Sequence, residues 1–169
     1  MSVHKSFAGA NDEYVKDFNE RKLGGLALPP GKKVVVVTCM DARLDPAASL
    51  GIREGDAHVI RNAGGRAPDA LRSILISQHL LGTTEIAVFH HTDCGMLTFT
   101  TDQLQSILKD KHPEHAKEIN EIDFLAFPQL DENVKEDVAF LKNHPLLVDN
   151  EHITGWVYEV ETGKVRQVV

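Results

Sequence analysis

The chain has 169 residues, 42% hydrophobic and 25% charged, enough apolar material for one packed domain and a composition that excludes a disordered tail, a collagen-like fibre or a disulfide-dense mini-protein. With 18 Lys+Arg against 25 Asp+Glu the formal net charge is -7, which suits neither nucleic acid nor an anionic membrane surface. No apolar run approaches the roughly 18 residues needed to span a bilayer.

The first residues, Met1-Ser2-Val3-His4-Lys5, lack the basic and apolar regions of a secretory signal. Asp12, Glu13, Asp17 and Glu20 argue against an acid-poor transit peptide, so a cytoplasmic protein is expected. Residues 1–30 read as an N-terminal helical arm, with helical spacing at Tyr14, Val15 and Phe18 and a breaker at Leu28-Pro29-Pro30-Gly31. The β-branched run Val34-Val35-Val36-Val37-Thr38 predicts a central strand buried on both faces, as in a parallel sheet. Further strands are predicted at Ala57–Ile60 and Glu85–His90. Between them Leu71, Ile74, Leu75, Gln78 and Leu81 fall at helical spacing from Pro68 onward, with Gly82 as the stop, which makes a βαβ crossover. Helices are expected near 101–110 and 131–143, and the charged stretch 111–123 reads as a solvated helix. Residues 153–160 and 165–169, flanking Glu161-Thr162-Gly163-Lys164, predict a hairpin. The sum is a single α/β domain, 1–169, with a mainly parallel sheet flanked by helices: an arm (1–30), a core that carries the site (31–100), then C-terminal helices and edge strands (101–169).

Two cysteines, Cys39 and Cys94, are the chemically informative residues. Cys39 follows the first strand, and His91-Thr92-Asp93-Cys94 follows the third. Ligand sites of open parallel sheets lie outside the carboxyl ends of the strands, so the two clusters converge if those strands are neighbours. Thiolate and imidazole are good zinc ligands, and Cys39, His91 and Cys94 leave a fourth position on one zinc per chain. Asp41 and Arg43 can form an ion pair in the loop beyond Cys39. A centre with two thiolates is close to neutral and acidifies its water only weakly, so an ionised Asp41, aimed by Arg43, would hold the reactive hydroxide. Such a hydroxide attacks a small electrophilic carbon. Asp41 can alternatively close the site as a fourth ligand, in a non-catalytic zinc-stabilised binding protein, or swing between zinc and Arg43. A Cys39 nucleophile with His91 as base is a further reading, as is a dithiol redox pair, although the C-x-x-C spacing is missing.

Three segments together resemble the β-class carbonic anhydrases: Cys39-Met40-Asp41-Ala42-Arg43, Gly55-Asp56-Ala57-His58-Val59-Ile60-Arg61-Asn62-Ala63-Gly64, and His91-Thr92-Asp93-Cys94-Gly95. The resemblance implies zinc on Cys39, His91 and Cys94, an Asp41–Arg43 catalytic dyad, a parallel-sheet subunit, and assembly as a homodimer or dimer of dimers. It points to His58, Ile60, Gly64 and Gly95 as pocket residues. Within the family the chain resembles a short subclass that holds small carbonic anhydrases and carbonyl sulfide (COS) hydrolases. It departs from the common pattern in two places: His58 stands where Phe is usual, and Pro30 where a Gln often precedes the first cysteine. Both positions shape the family's pocket. The expected function is therefore COS hydrolysis with shared or residual CO2 hydration, a dedicated carbonic anhydrase being the alternative. Of the remaining histidines, His90 should point away from His91 by strand alternation and pack under the sheet. His58 reads as a proton shuttle or a satisfied interior group, and His112 with His115 as a solvated face. Gly64-Gly65 is expected to allow close backbone passage at the site, and Asp93 and Gly95 to turn into a helix near Cys94 whose N–H groups favour the thiolate.

Overall fold

The computed structural model describes residues 2–169; Met1 of the N-terminal arm lies outside the described residues. A short 3-10 turn leads into α1 (Phe7–Glu20), followed by β1 (Val34–Cys39), α2 (Pro46–Leu50), β2 (Ala57–Asn62), α3 (Ala67–Leu81) and β3 (Glu85–His91). Then come α4 (Thr101–Lys111), α5 (Ala116–Asn120), α6 (Leu130–Lys142), β4 (Ile153–Tyr158) and β5 (Val165–Gln167). The five strands form one sheet in the order β2-β1-β3-β4-β5. β2, β1, β3 and β4 run parallel, and β5 returns antiparallel beside β4 as the predicted hairpin.

The valine run explains the centre of this order. β1 is paired on both sides, and Val35 and Val37 are fully buried, as a strand without a polar face must be. Because β1 lies between β2 and β3, α3 carries the chain across it rather than to an adjacent strand. Ala67, Ala70 and Ile74 of α3 and Val138 and Leu141 of α6 pack on Val35, Val37, Ile86 and Val88 to form the main core. Gly82 ends α3 in the left-handed conformation, φ +70°. On the opposite face Phe89 stacks on Trp156 with ring centroids 5.7 Å apart.

The helix α2 follows signals that the reading by periodicity passes over. Asp45 caps it by accepting a hydrogen bond from Ala48 N–H at 3.2 Å, Pro46 opens it, and Gly51 closes it in the left-handed region. The stretch 111–123 is a 3-10 turn and a single short helix, α5, whose Ile119 is buried. Both ligand-bearing strands run one residue further than their hydrophobic patterns suggest, so Cys39 and His91 are the last residues of β1 and β3.

Gly65 sits where β1 and β3 approach the loop after β2. Its φ is +70°, and an added Cβ would lie 2.7 Å from the Phe89 carbonyl oxygen and 2.9 Å from the Thr38 carbonyl carbon. Both neighbours are strand backbone and cannot yield. Gly65→Ala should therefore cost about 3 kcal/mol, read as a lower urea midpoint with an unchanged slope.

Candidate metal centre

Neighbouring parallel strands deliver the site. β1 pairs with β3 in the register Thr38↔Phe89, so Cys39 and His91 reach the same sheet edge. Beyond β3 the chain turns at Asp93, a non-glycine residue at φ +53°, and returns Cys94. The ligand atoms of Cys39, His91 and Cys94 all lie within 4.8 Å of one another, and all three residues are buried. Among the described residues this is the one group of three or more such side chains assembled closely enough to hold a metal ion.

The imidazole is set for coordination. His91 Nδ1 lies 2.8 Å from the Thr92 carbonyl oxygen, an acceptor, so Nδ1 carries the proton. His91 Nε2 is buried, has no hydrogen-bond partner, and faces the two sulfurs with its lone pair. A ligating histidine is normally fixed through its other nitrogen in this way. Two thiols and one free imidazole nitrogen, shielded from water, fit zinc.

Around the cluster the electrostatics favour charge separation. Cys39 is drawn down to about 4, first by the hydrogen bond from Cys94, helped by the imidazole of His91 and the N–H groups of Asp41 and Gly64, against the opposing effect of burial. Cys94 is pushed above its ordinary 9.0 by sharing its proton with Cys39 and by burial. The helix expected after Cys94 is only a three-residue 3-10 turn, Gly95–Leu97, so its thiol receives little more than the Met96 N–H.

Asp41 and Arg43 form the expected pair. Arg43 Nε and Nη2 donate to the two Asp41 oxygens at 3.0 and 2.7 Å, and the Arg43 backbone N–H adds a third bond at 2.9 Å. The guanidinium holds the Asp41 carboxyl well below the usual carboxylate range. Asp41 Oδ2 is 3.8 Å from His91 Nε2, at the mouth of the cluster but engaged with Arg43.

Two further residues join the site. Arg43 also donates to the Asp93 carboxylate at 2.7 Å and carbonyl at 2.9 Å, which anchors the dyad to the turn that presents Cys94. Arg61 donates to the carbonyls of Cys39 and Asp41 at 3.0 and 2.7 Å and so fixes the loop between ligand and dyad. Neither role has a signature in sequence spacing: Arg61 is merely a charged residue of an edge strand until the chain folds.

A cavity of about 450 Å³ opens beside Cys39 and Asp41, lined by Gly64, Gly95, Met96, Phe99, Leu104 and Phe124 among others. Gly64 takes φ +80°, and a Cβ there would lie 2.9 Å from Met96 and 3.1 Å from Phe127, so only glycine leaves this wall flat. The structure brings Gly64 and Gly95 to the cavity but not His58 or Ile60. His58 lies four residues before the sheet edge, its Nδ1 2.6 Å from Ser77 Oγ, and Ile60 packs on the main core. His112 and His115 are exposed beside Glu114.

Residues 34–165 match the model of the carbonic anhydrase family. Over 172 residues the chain is 40% identical to β-carbonic anhydrase 1 of Mycobacterium tuberculosis, with 99% of each chain covered. It is 38% identical over 184 residues to a carbon disulfide hydrolase of Saccharolobus solfataricus, covering 92% of this chain and 87% of that one. Among solved structures, a carbonic anhydrase from Glaciozyma antarctica superposes with a TM-score of 0.94 at 55% identity, covering 100% of both.

Replacing either sulfur removes one of three ligands, and the nearest other donor, Asp41, is held by Arg43. Cys39→Ser or Cys94→Ser should lower bound zinc from about one per chain to a small fraction of that, measured by elemental analysis of dialysed protein. In metal-free protein, ultraviolet thiolate absorbance should rise in one step near pH 4 from Cys39, with the second thiol still protonated at pH 9.0. Two thiols ionising together near 9 would contradict the shared-proton arrangement.

Proposed function

The chain belongs to the β-carbonic anhydrase family, and on that premise we propose that it adds water to the carbon of a linear triatomic gas, acting as a COS hydrolase with shared CO2 hydration. The observation that carries this reading is the juxtaposition of the Cys39–His91–Cys94 cluster, the Arg43-held Asp41 carboxylate and an apolar cavity. Zinc held by the three ligands supplies a Lewis acid that lowers the pKa of water.

The protein's own groups do the rest. Asp41 is ionised and is acceptor-only, so it takes a hydrogen bond from the reacting water and leaves the oxygen's remaining lone pair for the gas. Arg43 spends three of its N–H groups on Asp41 and Asp93 side chains and keeps the carboxylate in one orientation. The wall formed by Met40, Ala63, Met96, Phe99, Leu104 and Phe124 offers an uncharged gas an apolar lining.

That wall favours the sulfur substrate. Sulfur is larger than oxygen and a weaker hydrogen-bond acceptor, and an apolar lining offers it contact without demanding hydrogen bonds. Water addition to COS gives a thiocarbonate, which must expel its sulfur as hydrosulfide with a proton to leave CO2, so both gases pass through an anion and the contact with sulfur alone separates them. The identity to the carbonic anhydrases of Mycobacterium tuberculosis and Glaciozyma antarctica supports the second reading, a dedicated carbonic anhydrase.

Self-association belongs to the same proposal. α1 buries none of its residues and exposes Phe7, Tyr14 and Val15, and the edge strand β2 exposes Val59. Such surfaces suit a homodimer or a dimer of dimers. Two free thiols at a metal site suit the reducing cytoplasm read from the sequence.

Asp41→Asn should lower kcat/KM at least about 100-fold while zinc content stays near one per chain; full turnover in this variant would remove Asp41 from the mechanism. Measured side by side on the wild type, kcat/KM for COS should exceed that for CO2, and the reverse order would establish the dedicated carbonic anhydrase.

A further inference from the structure

Behind the cavity lies a buried charged group that the chemistry above does not use. Arg66 follows the cavity-lining Gly64 and is 8% exposed; Asp137 of α6 is 1% exposed. Arg66 Nε and Nη2 donate to the Asp137 carboxylate at 3.0 Å, and the Ala67 N–H donates to it at 2.8 Å. His90, fully buried, completes the group with Nε2 3.3 Å from Asp137 Oδ2.

The remaining Arg66 nitrogen, Nη1, donates to the carbonyl of Leu125. Leu125 belongs to an irregular strap, residues 123–127, that carries Phe124 into the cavity wall. The strap is held against its own preference: Leu125 has φ +53°, a costly conformation for a residue with a branched side chain. Its N–H donates to Asp123 Oδ1 at 2.9 Å, and the Phe127 N–H donates to the Met96 carbonyl at 3.3 Å. The Phe127 ring lies under the Arg66 guanidinium, 5.6 Å from its carbon, and stacks on His90 at 5.2 Å. Through its backbone Arg66 is tied to Asn62, the last residue of β2, its N–H donating to Asn62 Oδ1 at 2.7 Å and its carbonyl accepting from Asn62 Nδ2 at 2.9 Å.

From these contacts we infer that Arg66, braced by Asp137, is a positioning residue: its backbone is held by Asn62 beside the cavity-lining Ala63 and Gly64, its guanidinium holds the strap, and it thereby sets where Phe124 stands and which gas fits. This rests on the proposed gas chemistry and names the device that gives it selectivity. A buried ion pair contributes little net stability compared with apolar side chains of similar volume, but it holds one geometry. Here the geometry held is a strained turn in the cavity wall.

The test uses the zinc-loaded protein and two variants. Arg66→Met/Asp137→Leu removes both charges together, so no unpaired charge is left buried; Phe124→Ala removes the wall residue itself. Both should change the ratio of kcat/KM for COS to that for CO2 by about tenfold, in the same direction and through KM, with kcat within about twofold and zinc content unchanged. Hydrogen–deuterium exchange should rise in residues 123–127 of the double variant and stay unchanged in β1 and β3. An unchanged ratio in Phe124→Ala overturns the inference even if the double variant fails to fold. So does a double variant that loses kcat on both gases at constant KM, or one whose exchange rises across the whole chain. A wild type that turns over neither gas defeats the functional reading instead, and the exchange pattern then decides the positioning role alone.

Discussion

Everything in this molecule follows from two parallel strands being neighbours. β1 and β3 start from the same side of the sheet, so their carboxyl ends reach one edge together, and Cys39 and His91, 52 positions apart by residue number, become adjacent. No local turn could do this. The pairing is possible because α3 crosses over β1, and it is stable because β1 is apolar on both faces and has to be sandwiched. A strand order with another strand between β1 and β3 would separate Cys39 from His91 and Cys94.

Once the strands set the ligands, arginines set what surrounds them. Arg61 fastens the loop carbonyls between Cys39 and Asp41, Arg43 clamps Asp41 to the Asp93 turn, and Arg66 braces the opposite wall against Asp137. A planar guanidinium suits each task because it donates in several fixed directions at once. In a chain of net charge -7 these cations stand at one edge of the sheet, each matched to carboxylates or carbonyls. The Asp41 carboxylate is thus ionised and fixed in one orientation by the fold itself, as preorganised electrostatics require.

Some of this was visible in one dimension. The valine run declared the central strand, the i, i+3, i+4 pattern from Leu71 to Leu81 declared α3, and Gly82 its end. C-x-D-x-R and H-x-x-C-G, placed after two predicted strands, pointed to the Cys39–His91–Cys94 cluster and to the Asp41–Arg43 ion pair. These features are local: each is a residue type at a short spacing whose physics is expressed within one element or its adjoining loop. Other features need the fold. His58 departs from the family pattern in a way that suggests a pocket residue, yet strand length alone puts it at the far end of β2, satisfied by Ser77.

The chain's sequence determined the central strands, α3, the three metal-ligand candidates and the Asp41–Arg43 ion pair, because alternation, helix stops and short-range charge pairing act over a few residues. Tertiary structure alone decided the cavity wall and its bracing. Phe99, Leu104 and Phe124 come from three separate segments, and Arg66 meets Asp137 across 71 positions. Such long-range contacts are selected by how α6 packs on the sheet, and no spacing rule encodes that packing.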